Sequence, residues 1–225
     1  MGTSNQIKHQ TAKTKSIWTL ILTIVILALS ELLYKNSIQD TMFNNISYHI
    51  FQIVFIFFIV IKVDRRPISS IDLRLDNVFK QLALGSGLFF IMSLLTLIPF
   101  AFTLDYNMFS FNAPTLKSLL YEFLYCVFII GFTEELIFRG YLLERLKGVF
   151  NSNALGIIIS SFLFGLVHYD SGGILKIFIC TIVGIIICIY KNKFKATGLI
   201  GVAFAHGMND FYLSALGYIA LRFFM

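Results

Sequence analysis

Seven apolar stretches of roughly bilayer length, separated by short polar connections, occupy most of this 225-residue chain. They run at about 16–34, 46–62, 81–104, 117–147, 153–169, 174–190 and 197–223. An apolar run of ~20 residues is long enough to cross a hydrocarbon core as a helix, and most of these runs are apolar on every face, as lipid-buried helices are. The predicted fold is therefore all-α: a polytopic membrane helix bundle of about seven transmembrane helices, or eight if the last run breaks near Gly217. Composition agrees. Hydrophobic residues make up 57% and charged residues 13%, against roughly 45–50% and 25% in soluble domains. That balance excludes a soluble globular domain, and short loops leave no room for one.

The basic residues divide by side. Lys8, Lys13 and Lys15 precede the first span; Lys62, Arg65, Arg66, Arg74 and Lys80 follow the second. Arg139, Arg145 and Lys147 lie late in the fourth, and Lys191, Lys193 and Lys195 follow the sixth. These are fourteen of the 18 basic residues; only Lys35, Lys117, Lys176 and Arg222 fall on the other side. The positive-inside rule then puts the N-terminus in the cytoplasm. The net charge of +6 follows this topology and gives no nucleic-acid signal. Ala28-Leu29-Ser30 loosely imitates a signal-peptide cleavage site, but the apolar run continues through Leu32-Leu33-Tyr34, so the segment reads as an uncleaved span. The charged loop 62–80 carries Ile68, Ile71, Leu73, Leu75, Val78 and Phe79 and reads as an amphipathic piece at the cytosolic interface. Cys126, Cys180 and Cys188 show no C-x-x-C spacing and read as small buried hydrophobes. Tyr34, Tyr48, Tyr106, Tyr121, Tyr169 and Tyr190 read as interfacial anchors.

Inside the fourth run stands Gly131-Phe132-Thr133-Glu134-Glu135-Leu136-Ile137-Phe138-Arg139. A carboxylate in hydrocarbon costs several kcal/mol unless it is paired, protonated or facing water, so such residues are functional candidates. Glu135 and Arg139, at i and i+4, share a helix face and fit a self-neutralising pair. Glu134 then lacks a full partner, which suits a general acid or base. His168 ends the fifth run with Phe164 one turn before it; Ser161 and Gly165 form a small-xxx-small pair that admits a close neighbour. His206 has Asp210 at i+4, a carboxylate able to fix its tautomer, and Ala203 and Gly207 again invite close packing. At 1.5 Å per residue, Glu134, His168 and Asp210 each lie ~20 Å from the cytosolic end of their helix, with His206 at ~14 Å. Glu31 and Glu122, nearer span ends, read as structural.

Glu134-Glu135-x-x-x-Arg139, Phe164-x-x-x-His168 and His206-x-x-x-Asp210, in that order and in separate apolar runs, resemble the three motifs of the CPBP family. That family comprises the type II CAAX prenyl endopeptidases and the bacteriocin-processing or self-immunity proteins. The resemblance covers 116–225, a CPBP-like catalytic bundle; 1–115 supplies the tail and first three spans. It implies peptide-bond hydrolysis within a membrane, on a membrane-embedded peptide or protein. Glu134 with His168 would activate water, His206 with Asp210 would stabilise the oxyanion, and Glu135 and Arg139 would hold the site together. The chain departs from the pattern at Asp210, where Asn is common; an ionised Asp accepts hydrogen bonds and cannot donate to an oxyanion. The family is named for metalloproteases, and Glu134, His168 and His206 would suit zinc with water in the fourth position. No H-E-x-x-H occurs, so the cofactor is either zinc or none. The expected setting is a bacterial plasma membrane. Two other readings remain: a non-proteolytic immunity or scaffold protein of the same fold, and a small proton-coupled transporter, since intramembrane Glu, His and Arg also build proton relays.

Overall fold

The computed structural model of the chain describes residues 2–36, 41–103 and 115–223, most of them helical, with no strand among them. Tyr106 and the side chains of Lys8, His9, Lys13, Lys15 and Arg222 lie outside the described residues. The helices are α1 (Gly2–Lys35), α2 (Met42–Phe58), α3 (Val78–Thr103), α4 (Leu116–Tyr125), α5 (Gly131–Glu135), α6 (Leu143–Phe150), α7 (Asn153–Leu166), α8 (Gly173–Lys193) and α9 (Gly198–Phe223). α4, α5 and α6 form one unbroken rod, joined by π-helical turns at Cys126–Ile130 and Leu136–Leu142. Ser16–Lys35, Met42–Val63, Val78–Leu97, Leu116–Phe150 and Gly173–Lys193 are long and apolar enough to cross a membrane. The chain is a multi-pass, all-α membrane protein.

Local chemistry sets the boundaries. Thr41 and Ser152 cap α2 and α7 by accepting from Asn44 N and Leu155 N, and Thr115 with Ser118 makes a capping box before α4. Such caps satisfy amide groups that the first turn leaves orphaned. Asn151 ends α6 in the left-handed region at φ 49°, which asparagine tolerates better than most residues.

One boundary keeps the main sequence expectation and one departs from it. α9 continues without a break from Gly198 to Phe223, so no element begins near Gly217. The fifth run, expected to span 153–169, is α-helical only to Leu166. His168 lies past its end, at φ −93° and ψ 5°. The imidazole explains the early stop. His168 Nδ1 sits 2.8 Å from Phe164 O, the carbonyl its own amide would take in a helix, and that amide bonds Gly165 O instead. Side chains that compete for backbone acceptors end helices in this way.

The chain forms two compact units, Met1–Asp72 with Ile137–Ile185, and Leu73–Leu136 with Ile186–Met225. The division at 115/116 read from the sequence concerns motif content and not packing. In the first unit, Arg145 and Asp64 form a 2.7 Å ion pair, almost wholly buried. Beside it the fully buried Tyr141 hydroxyl lies 3.3 Å from Thr23 Oγ1. A methyl group at Gly165 would meet Ile177 O at 2.5 Å, so the small pair on α7 does admit a close neighbour, α8. In the second unit α3 packs along α9, with Gly85 and Gly201 back to back. A Cβ at Gly131 would stand 2.6 Å from both Ala203 O and Gly207 N. This contact is why Glu134 and Glu135 arrive beside α9. All three cysteines are free and buried.

Candidate active site

Within the second unit, one imidazole gathers three carboxylates. His206 Nδ1 lies 2.8 Å from Glu135 Oε1; its Nε2 lies 3.8 Å from Glu134 Oε2 and 3.5 Å from Asp210 Oδ2. Accessibility separates their roles. Glu135 is wholly buried and His206 nearly so, whereas Glu134 and Asp210 keep 22% and 33% of their side-chain surface. A buried carboxylate on Nδ1 orients the ring. The two less buried carboxylates flank the nitrogen that remains, and the Glu134 oxygen nearest the ring, Oε2, is itself buried. The Glu135–His206 contact was not foreseen: i,i+4 spacing assigned Glu135 to Arg139. The π-helical turn Leu136–Leu142 begins directly after Glu135. Such turns are frequent at functional sites. Asn209, beside Asp210, is buried, with its Oδ1 accepting from Thr96 Oγ1 of α3 at 3.4 Å.

Arg139 and His168 belong to the first unit and meet at Phe164. The fully buried Arg139 guanidinium lies 4.1 Å from the Phe164 ring centroid, a cation–π distance. The His168 ring lies 4.7 Å from the same centroid, tilted 60°, so Phe164 does wall the imidazole as its spacing implied. Phe138 closes on Phe164 edge-on at 5.2 Å, and Ser160 Oγ donates to Phe138 O at 2.6 Å. Because a carbonyl oxygen can only accept, the proton on the His168–Phe164 bond belongs to Nδ1. A neutral ring then carries its lone pair on Nε2, the tautomer a proton acceptor requires.

Glu134, Glu135, His206 and Asp210 are thus brought together in one unit, and Arg139, Phe164 and His168 in the other. Among the described residues no group of three or more His, Cys, Asp or Glu side chains is arranged to hold a metal ion.

No curated protein and no solved structure matches the chain. One family model does: the Rce1-like group, described as type II CAAX prenyl endopeptidase Rce1-like, matches residues 116–212, from the start of α4 into α9. The matched stretch holds Glu134, Glu135, Arg139, His168, His206 and Asp210. Residues 116–212, somewhat under half of the chain, are therefore similar to the Rce1-like group of type II CAAX prenyl endopeptidases.

Proposed function

We propose that this protein is an intramembrane endopeptidase that hydrolyses peptide bonds of membrane-embedded peptides or proteins. The observation that carries the reading is the unequal pair Glu134–Glu135: one carboxylate wholly buried on His206, its neighbour part-exposed and facing the same ring through one buried oxygen. Glu134 takes a proton from water as the oxygen attacks the scissile carbonyl, and His168, through Nε2, shares that role. The tetrahedral oxyanion accepts a hydrogen bond from His206 Nε2–H, which Glu135 aims through Nδ1. Preorganised donors of this kind in a low dielectric contribute several kcal/mol to acyl-transfer barriers. Proton return to the leaving amine from Glu134 closes the cycle. Asp210, an acceptor, helps hold the His206 ring and makes no contact with the oxyanion. Arg139, locked on Phe164, supports the wall behind His168. The reaction as written uses water and side chains, with no step through a metal.

The setting is a bacterial plasma membrane with the N-terminus in the cytoplasm, supported by the alternation of basic connections. The deciding experiment compares membrane peptides, by mass spectrometry, from cells carrying wild-type protein and Glu134→Gln. Peptides that lose their cleaved forms in the variant, at equal protein abundance, support the reading. Identical peptide sets, with the biological effect retained, would favour a scaffold or immunity role. Solute flux driven by a pH gradient, without cleaved product, would favour transport.

A further inference from the structure

His168 stands on a weakly built turn. Beyond α7 the chain makes a single 3-10 turn, Tyr169–Ser171, closed by Gly172 N–H to Tyr169 O, and then passes Gly172 and Gly173, the latter at φ +63°. Two successive glycines restrict the backbone least of any pair, so the turn's own sequence does little to hold the histidine in register. A side chain two residues on is held from elsewhere. Asp170 Oδ2 lies 2.6 Å from Lys35 Nζ at the end of α1, and Lys35 also meets Glu31 Oε1 at 3.0 Å. The other Glu31 oxygen accepts from the Tyr48 hydroxyl of α2, which in turn accepts from Gln52 Nε2 at 2.6 Å. Gln52 is buried. Tyr48 is also stacked on Tyr34 with centroids 4.3 Å apart, and the Tyr34 hydroxyl donates to Asn45 Oδ1 at 2.7 Å.

We propose that the relay Gln52–Tyr48–Glu31–Lys35–Asp170 is a positioning device for His168, supplied by α1 and α2. Both helices lie outside the matched residues 116–212, so this is a contribution of the N-terminal half to the site of the C-terminal half. The relay runs from a buried amide on α2 to an exposed carboxylate on the turn, and each member has its partner within hydrogen-bond reach. An isolated exposed ion pair contributes little, because both side chains stay mobile and solvent screens them. Here Lys35 is pinned by a second carboxylate, and Glu31 by a stacked tyrosine. The ordering cost is therefore largely met before Asp170 is engaged. Glu31 and Tyr48 acquire a role beyond solubility and anchoring.

The inference rests on His168 serving the proteolytic reading, so the test has two arms. In the first, Lys35→Met, Asp170→Asn and the double variant are assayed as full chains in vesicles. Each single change is expected to lower kcat by about two- to fivefold at unchanged KM. The double variant should be no worse than either single, and Lys35→Arg should keep wild-type activity. Raising salt to about 0.5 M should slow the wild type and leave Lys35→Met unaffected, because screening acts on the exposed bridge. Additive losses, or neutral single variants, would overturn the proposal. The second arm needs no activity: amide exchange at 168–172 should quicken in Lys35→Met and Asp170→Asn but not in Lys35→Arg. Unchanged exchange would overturn the relay even if cleavage fell. Faster exchange in a chain whose His168→Asn variant still cleaves would keep the relay and sink the catalytic reading of His168.

Discussion

His206 and His168 are both single histidines of an apolar run, yet the fold treats them in opposite ways. His206 is nearly sealed from solvent, with a carboxylate on one ring nitrogen and two more facing the other. His168 is half-buried, with a backbone carbonyl on Nδ1 and an aromatic wall beside it. A carboxylate cage suits a ring that must stay oriented while negative charge builds and decays beside it. A carbonyl partner fixes one tautomer and adds no charge, which suits a ring that lends a lone pair. The contrast teaches that similar sequence settings can yield a donor and an acceptor once the tertiary partners differ.

The largest expected effect breaks the acceptor side. Glu134→Gln removes the base while keeping the shape, and should cost about 10²–10⁴-fold in cleavage rate with normal accumulation in membranes. His168→Asn sharpens the same side: the asparagine amide can still donate to Phe164 O, but nothing replaces Nε2. The expected outcome is a stably folded variant with a similarly deep loss; full activity would assign the base elsewhere. On the donor side, Glu135→Gln exchanges a charge-assisted hydrogen bond for a neutral one. That change is worth about 1–2 kcal/mol, so activity should fall by roughly 5- to 30-fold. Thermal unfolding in detergent should shift as well, because the contact is buried. Were Glu135→Gln to cost more than Glu134→Gln, the roles of the two carboxylates would have to be exchanged.

The smallest effects test packing. Gly131→Ala places a methyl 2.6 Å from two backbone atoms of α9 and should destabilise by about 1–3 kcal/mol, reducing activity by moving Glu134 and Glu135 off His206. Gly148→Ala, on α6 where nothing lies within 4 Å, should leave activity intact and add up to about 1 kcal/mol of helix stability. Equal unfolding temperatures for the two variants would refute the role given to the close α5–α9 approach.

Much of this was legible before any coordinates. Helix positions followed from unbroken apolar runs. The Phe164–His168 register and the close approaches at Gly165 and Gly207 followed from spacing, since an α-helix puts i and i+4 on one face. The exceptions share one origin. The Glu135–His206 contact escapes the i,i+4 rule because it joins positions 71 apart. α7 was read as too long because no helix propensity announces that an imidazole will capture its own helix's carbonyl. The ties of Glu31 to Tyr48 and of Lys35 to Asp170 join positions 17 and 135 apart, beyond the reach of local spacing.

Hydrophobicity and its interruptions act through local properties, so residue order alone determined that this chain is helical, multi-pass and equipped with intramembrane carboxylates and histidines. Which carboxylate seals a histidine and which stays open to water depends on the approach of segments some seventy residues apart. That choice belongs to packing, because only the touching glycines of α5 and α9 bring Glu135 within hydrogen-bond reach of His206.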